Sequence, residues 1–303
     1  LCYGFSTGQI VITTTGGTPA ASGNTYTYAW TKDGAGNAYT PGSGEEVVAG
    51  NTVTLSSLGA GVYVCTITDA NGCAHTVSKT ISQPGSLPSV NAGGTNSTTD
   101  VLCNGLSTGQ IVITTTGGTP VTGGGNTYTY SWTKDGAVYN LPNAGDQVIA
   151  ANTITLSNLA AGAYVTTIVD ANSCSYTVSK TITEPAAALS SSSVLTHVVC
   201  NGAATGAIAL TAANGTPNYT YAWIATGGGN LGNNAPTVED PGSLTAGNYT
   251  CTITDNAGCT TTESVTLNQN NVISFTSTVL VGCFFQNNAS ITISSVSGGT
   301  GSS

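Results

Sequence analysis

Short runs rich in Val, Ile, Thr and Tyr recur along the chain, at Gln9–Thr15, Thr25–Thr31, Thr52–Leu58, Val62–Thr68 and Ala74–Ile81. β-Branched and aromatic residues in such runs favour half-buried strands. Gly-Gly-Thr-Pro at 16–19, Lys-Asp-Gly at 32–34 and Asp-Ala-Asn-Gly at 69–72 punctuate them as turns. No segment carries an apolar period of 3.6 residues, so the pattern predicts strands and no helices.

The pattern repeats. Residues 2–19 read CYGFSTGQIVITTTGGTP and residues 103–120 read CNGLSTGQIVITTTGGTP, an offset of 101. Cys73 and Cys174, Asp69 and Asp170, and Pro84 and Pro185 keep that offset, and a one-residue insertion near Gly123 moves Trp30 to Trp132. A third copy starts at Cys200-Asn201-Gly202 and a fourth at Cys283. Strand-like stretches Val194–Val199 and Val272–Val281 lead into these two. The expected division is 1–84 for the first copy without its lead-in strand, 85–185 for a linker and the second, 186–268 for the third, and 269–303 for the start of a fourth. The sequence reads as a window on a longer array. Five or six short strands and a lead-in, in about 100 residues, is the size of an immunoglobulin-like sandwich. The expected fold is all-β, a tandem series of such sandwiches.

Aromatic residues sharpen that expectation. Gly61-Val62-Tyr63-Val64-Cys65 and Gly247-Asn248-Tyr249-Thr250-Cys251 place a Tyr two residues before a Cys, as in the tyrosine corner of strand F. Trp30, Trp132 and Trp223 each close a Tyr-x-Tyr-x-Trp run, in the place of the strand-C Trp. Core packing is the expected role of these Trp and of Tyr63, Tyr164 and Tyr249. A sugar-binding platform is the alternative, but one Trp per copy is what a core needs.

Charge excludes other classes. The 303 residues hold 13 acids, four Lys and no Arg, and only 6% of the chain is charged. Lys32, Lys79, Lys134 and Lys180 cannot form the basic patch that nucleic acid requires. No apolar run approaches the ~20 residues of a membrane helix.

Nine cysteines remain. Each full copy has one at its start and one after the Asp turn, at separations of 71, 71 and 59 residues. This spacing predicts Cys2–Cys73, Cys103–Cys174 and Cys200–Cys259. The first of a further pair is Cys283. A Cys65–Cys73 bridge is excluded by register: Cys73 would lie opposite Asp69, with Cys65 roughly 13 Å further along the strand. Cys65 and Cys251 are then buried thiols in a site that Thr166 fills in the second copy, or else cross-links between chains. Paired cysteines in such a chain imply an oxidising, extracellular setting.

Candidate chemistry is sparse. His75 and His197 fall at different places in their copies and read as surface residues. Asp69, Asp170 and Asp255 recur at the first position of a turn, where Asp caps backbone N–H groups; calcium binding is the alternative. Glu45-Glu46, Asp146 and Glu239-Asp240 read as a solvated loop before strand E, with weak cation binding as the alternative. No metal other than calcium, no cofactor and no catalytic residue is expected.

Taken together, Cys-Asn-Gly, Thr-Gly-x-Ile, Gly-Gly-Thr-Pro, Tyr-Thr-Tyr-x-Trp, Leu-x-Ala-Gly-x-Tyr and Thr-Asp-Ala-Asn-Gly-Cys resemble the SprB repeat. That repeat occurs in very long surface proteins of Bacteroidota, the gliding adhesin among them. The likeness covers essentially the whole chain. Tyr3 replaces the Asn, Ser173 replaces the Gly before Cys174, and the third copy has Asn256-Ala257-Gly258. The resemblance implies a cell-surface fibre, exported by the type IX route and used in adhesion, gliding or capture, and it implies no catalysis. The expected partners are copies of the chain itself, surface polysaccharide or another cell. A carbohydrate-binding array, or a stalk attached to an enzyme, is the alternative.

Overall fold

The computed structural model describes residues 1–18, 26–120, 128–141, 145–282, 284 and 287–299. Thr25, the insertion near Gly123 and Cys283 lie outside them. Among the described residues every regular element is a strand, and no helix is long and apolar enough to cross a membrane. The chain divides into two compact units: residues 1–99, 110–158 and 162–181, and residues 100–109, 159–161 and 182–303.

In the first unit the first copy supplies β1 (Gly8–Thr13), β2 (Thr27–Lys32), β3 (Ala38–Tyr39), β4 (Glu46–Ala49), β5 (Thr52–Leu58), β6 (Gly61–Thr68) and β7 (Ala74–Ile81). One sheet runs β1-β5-β4 and the other β3-β2-β6-β7, with every pair antiparallel. In immunoglobulin terms these are B-E-D and C′-C-F-G. Side chains alternate between faces along a strand. In β6, Tyr63, Cys65 and Ile67 are buried. They pack with Ile10, Ile12, Trp30, Val53 and Leu55 from both sheets into one core.

The second copy repeats this order. Its elements are β8 (Ser89–Val90), β9 (Ser97–Thr99), β10 (Gly109–Thr116), β11 (Thr129–Lys134), β12 (Ala137–Val138), β13 (Gln147–Ala150), β14 (Thr153–Leu159), β15 (Gly162–Val169) and β16 (Ser175–Ile182). The sheets are β13-β14-β10-β8, with β9 also on β10, and β12-β11-β15-β16. The two short strands β8 and β9 form the split lead-in strand.

In the second unit the third copy holds β17 (Ser190–Thr196), β18 (Ala207–Ala213), β19 (Thr220–Thr226), β20 (Gly247–Thr254) and β21 (Thr260–Leu267), in sheets β17-β18 and β19-β20-β21. Irregular chain replaces strands D and E, and Leu244 from that segment is buried in the core beside Ile208 and Trp223. The last elements, β22 (Ser274–Leu280) and β23 (Ser290–Ser297), pair with one another. The chain is thus all-β, a tandem series of immunoglobulin-like sandwiches.

Buried polar atoms find recurring partners. Tyr63 donates its hydroxyl to the Gly59 carbonyl at 3.0 Å and Tyr249 to that of Thr245 at 2.8 Å, four residues upstream in both. Those are tyrosine corners. The indole N–H groups of Trp30, Trp132 and Trp223 donate to Glu46 Oε1, Gln147 Oε1 and the Val238 carbonyl.

In the first two copies the acids before strand E are therefore not a solvated loop, which corrects the sequence expectation there, whereas Glu239 and Asp240 of the third copy are exposed in irregular chain. Glu45 Oε2 accepts from Tyr39 and the Gly42 N–H, and Tyr221 donates to Glu239. Asp146 is buried and accepts from Asn158. Short strands β4 and β13 begin at Glu46 and Gln147 and carry these two indole acceptors to the core.

Trp30 lies opposite Cys65, Trp223 opposite Cys251 and Trp132 opposite Thr166. Both cysteines are buried free thiols. Burial pushes the Cys65 thiol up to about 12, with Glu46 adding to the effect. Thr166 Oγ1 is buried without a hydrogen-bond partner among the described residues. An unpartnered buried hydroxyl costs about 1–3 kcal/mol. Replacing it through Thr166→Val is expected to raise stability by about 1 kcal/mol, seen as a higher urea midpoint. A lower midpoint would mean that the hydroxyl is satisfied.

Candidate functional site: the junction between copies

Each of the first three copies begins with a tight Cys-x-Gly turn. The carbonyls of Cys2, Cys103 and Cys200 accept from the N–H groups of Phe5, Leu106 and Ala203 at 3.1, 3.1 and 3.0 Å. The third turn residue has positive φ, 76° at Gly4, 79° at Gly105 and 75° at Gly202, a conformation open to Gly at little cost. Its N–H donates to a side chain just past the end of strand G: Gln83 (2.8 Å), Glu184 (2.6 Å) or Gln269 (2.7 Å). This clamp was missed at the sequence level. Its one signal is a Gln or Glu at a fixed place ten residues beyond the Asp-turn cysteine.

The other end of the sandwich is built on Asp. Asp69 Oδ1 accepts from the N–H groups of Asn71 and Cys73, and Oδ2 from Thr18. Asp170 takes Asn172, Cys174 and Thr119, and Asp255 takes Ala257, Cys259 and Thr216. Each carboxylate thus locks the F–G turn to the Gly-Thr loop, through Thr18, Thr119 or Thr216, and holds a cysteine at the turn's exit. The loop glycine is sterically required, since a Cβ on Gly118 would lie 2.7 Å from Asp170 Oδ2.

Strand G separates the two cysteines of a copy. The start cysteine sits by Gln83, and the eight residues of β7 stand between Gln83 and Cys73. At ~3.3 Å per residue that is roughly 26 Å, far beyond the ~7 Å that a disulfide spans. The expected pairs Cys2–Cys73, Cys103–Cys174 and Cys200–Cys259 are therefore incorrect. The bonds run between copies instead: Cys2 to Cys174, with Cα atoms 5.5 Å apart, and Cys103 to Cys259, at 5.7 Å. In each, the start cysteine of one copy meets the Asp-turn cysteine of the next. At the first junction Asn172 Nδ2 donates to Thr119 Oγ1 and to the Leu1 carbonyl. At the second, Cys103, Asn104 and Pro185 share a cleft with Gly215, Gly258 and Cys259.

Closing loops of 172 and 156 residues would stabilise by about 5 kcal/mol each in the chain-entropy picture. The loops overlap, so the two effects do not simply add. Cys73 and Cys200 are exposed free thiols. His75 and His197 are both exposed, and His197 Nδ1 accepts from the Asn268 N–H. Among the described residues no group of three or more His, Cys, Asp or Glu is placed to hold a metal ion. What the arrangement does chemically is bond the start cysteine of one copy to the Asp-turn cysteine of the next.

The SprB repeat family model matches residues 95–137 and 192–228, so these two segments are SprB-type repeats. A search of curated protein sequences finds no match. Among solved structures, extracellular domains 3–5 of Drosophila OTK match with 16% identity over 87% of this chain and 92% of that one, at a TM-score of 0.28. The N-terminal eight Ig domains of Down Syndrome Cell Adhesion Molecule match with 14% identity over 91% and 36%, at 0.34. The titin I9–I11 tandem matches with 14% identity over 82% and 89%, also at 0.34. The immunoglobulin-like topology is carried by the strand order itself.

The Asp caps make a pH signature. Burial pushes the Asp255 carboxyl up, but the backbone N–H groups of Thr216, Cys259 and Ala257 outweigh it and hold the group below its ordinary value. Asp69 is lowered too, first by the Thr18 N–H and then by that of Cys73. A carboxyl depressed on folding contributes fully above its unfolded value of ~3.9 and loses that contribution as pH falls through the folded value. Stability should thus drop as pH falls from about 4. Asp255→Asn should be less stable than the parent at pH 7 and show a shallower acid limb in urea midpoints measured from neutral to strongly acidic pH. An unchanged acid limb would remove Asp255 from the account.

Proposed function

We propose that this chain, with SprB-type repeats at 95–137 and 192–228, is a structural segment of an extracellular adhesive filament and carries tension along it. The observation behind this reading is the pair of overlapping disulfides, Cys2–Cys174 and Cys103–Cys259. Under tension the shortest covalent path from Cys2 to Cys259 crosses the first bridge, returns along the 71 peptide links from Cys174 to Cys103, and crosses the second. Sequence alone would give 257 links. At ~3.5 Å per residue the bridged path reaches roughly 250 Å and the open one roughly 900 Å. A copy that unfolds under load is thus held short and can refold in place.

The filament reading extends to export by the type IX route in Bacteroidota and to adhesion, gliding or capture at the cell surface. Self-association into a fibre or bundle belongs to the same proposal, as does contact with surface polysaccharide or another cell. No enzymatic step is part of it.

Single-molecule stretching of the oxidised chain should show the Cys2–Cys259 section reaching no more than roughly 250 Å, with reductant releasing roughly 650 Å more. Equal extension with and without reductant would remove the mechanical basis for the reading.

A further inference from the structure

The junction has two halves, and the chain presents a Cys73 half by itself and a Cys200 half beside the start of the fourth copy, whose Gly299 holds the place of Gly215. In the second unit the complete junction places Gly215, Cys259 and Thr260 of one copy against Cys103, Asn104 and Pro185 of the copy before it. In the first copy Gly17, Cys73 and Ala74 hold the places of Gly215, Cys259 and Thr260, and they line a surface cleft with Tyr26, Ile67 and His75. In the third copy Val199, Cys200, Asn201 and Asn270 hold the places of Leu102, Cys103, Asn104 and Pro185, and they line a second cleft.

The local geometry is already that of the bonded state. Asp69 caps the Cys73 N–H at 2.8 Å, as Asp170 and Asp255 cap Cys174 and Cys259 at 2.8 and 2.9 Å. Asn201 Nδ2 donates to the Asn270 carbonyl at 3.0 Å, as Asn104 does to that of Pro185 at 2.8 Å. Cys174 and Cys259 are buried in their junctions, whereas Cys73 and Cys200 are exposed thiols. Cys65 and Cys251 offer no partner, because both are buried in sandwich cores.

We infer that Cys73 and Cys200 are junction cysteines, each bonded in the assembled protein to a further module of this repeat type. Cys73 takes the start cysteine of a Cys-x-Gly turn, and Cys200 takes the cysteine that leaves an Asp-capped F–G turn. The inference rests on the filament reading and deepens it, turning two staples into a continuous ladder. Joining two thiols releases two protons and two electrons, and a protein disulfide oxidant accepts both. The Cys73 thiolate attacks one sulfur of that oxidant's disulfide and expels its other sulfur as a thiolate. The incoming start-cysteine thiolate then attacks the Cys73 sulfur and displaces the oxidant, which leaves as a dithiol.

The test is non-reducing peptide mapping of the native protein, alkylated before digestion to trap free thiols. The Cys73 peptide is expected in disulfide linkage with a peptide holding a Cys-x-Gly turn, that of Cys200 in a second molecule included. The Cys200 peptide is expected linked to one holding an Asp-turn cysteine. Electrophoresis without reductant before digestion separates linkage within one polypeptide from linkage between two. Alkylated Cys73, Cys73 capped by a small thiol, or Cys73 joined to Cys65 would overturn the inference. If Cys73 is free while Cys2–Cys174 is intact and the stretched chain stays short, the ladder fails and the filament reading stands. Loss of Cys2–Cys174 itself removes both.

Discussion

The length of strand G governs this molecule. The eight residues of β7 put the start cysteine and the Asp-turn cysteine of a copy at opposite ends of one sandwich. Neither can reach the other, so each can bond only to whatever abuts its own end. A repeat with one cysteine at each pole is a unit that staples to its neighbours. Each observed staple links the Cys-x-Gly turn of one copy to the Asp-capped turn of the next.

Everything else at the poles positions those cysteines. Three carboxylates, one per copy, each gather three backbone N–H groups and fix the F–G turn. A Gln or Glu past strand G fixes the Cys-x-Gly turn. Much of the chain's scant charge is spent inside copies in this way. Asp33 accepts from the Val62 N–H, Lys32 Nζ lies 5.3 Å from the Tyr63 ring centre, and Glu46 receives the Trp30 indole. A chain that is 6% charged overall is compatible with an ordered fold because tyrosine corners, indole acceptors and capped turns satisfy most polar groups of the interior.

The sandwich was readable from residues because its signals are local. Tyr63 and Tyr249 two residues before a Cys, Trp30 closing a Tyr-x-Tyr-x-Trp run, and Asp69 opening a turn each name a place in the immunoglobulin arrangement. The exclusion of Cys65–Cys73 is of this kind, since register along one hairpin decides it, and Cys65 does pair with Val77 across β6 and β7. The bridges were misread because their partners are set by distance between poles. Separations of 71 residues within a copy and 172 across two are both compatible with a list of cysteines, and only the run of β7 chooses between them. Strands β4 and β13 were missed because four residues holding an acid or amide resemble a loop until the indole of strand C is seen above them.

Disulfides join copies rather than closing each one. Proteolysis of the oxidised chain without reductant, followed by mass spectrometry of the cross-linked peptides, tests it most directly. Peptides linking Cys2 to Cys174 and Cys103 to Cys259 are expected. A peptide linking Cys2 to Cys73, or Cys103 to Cys174, would contradict it.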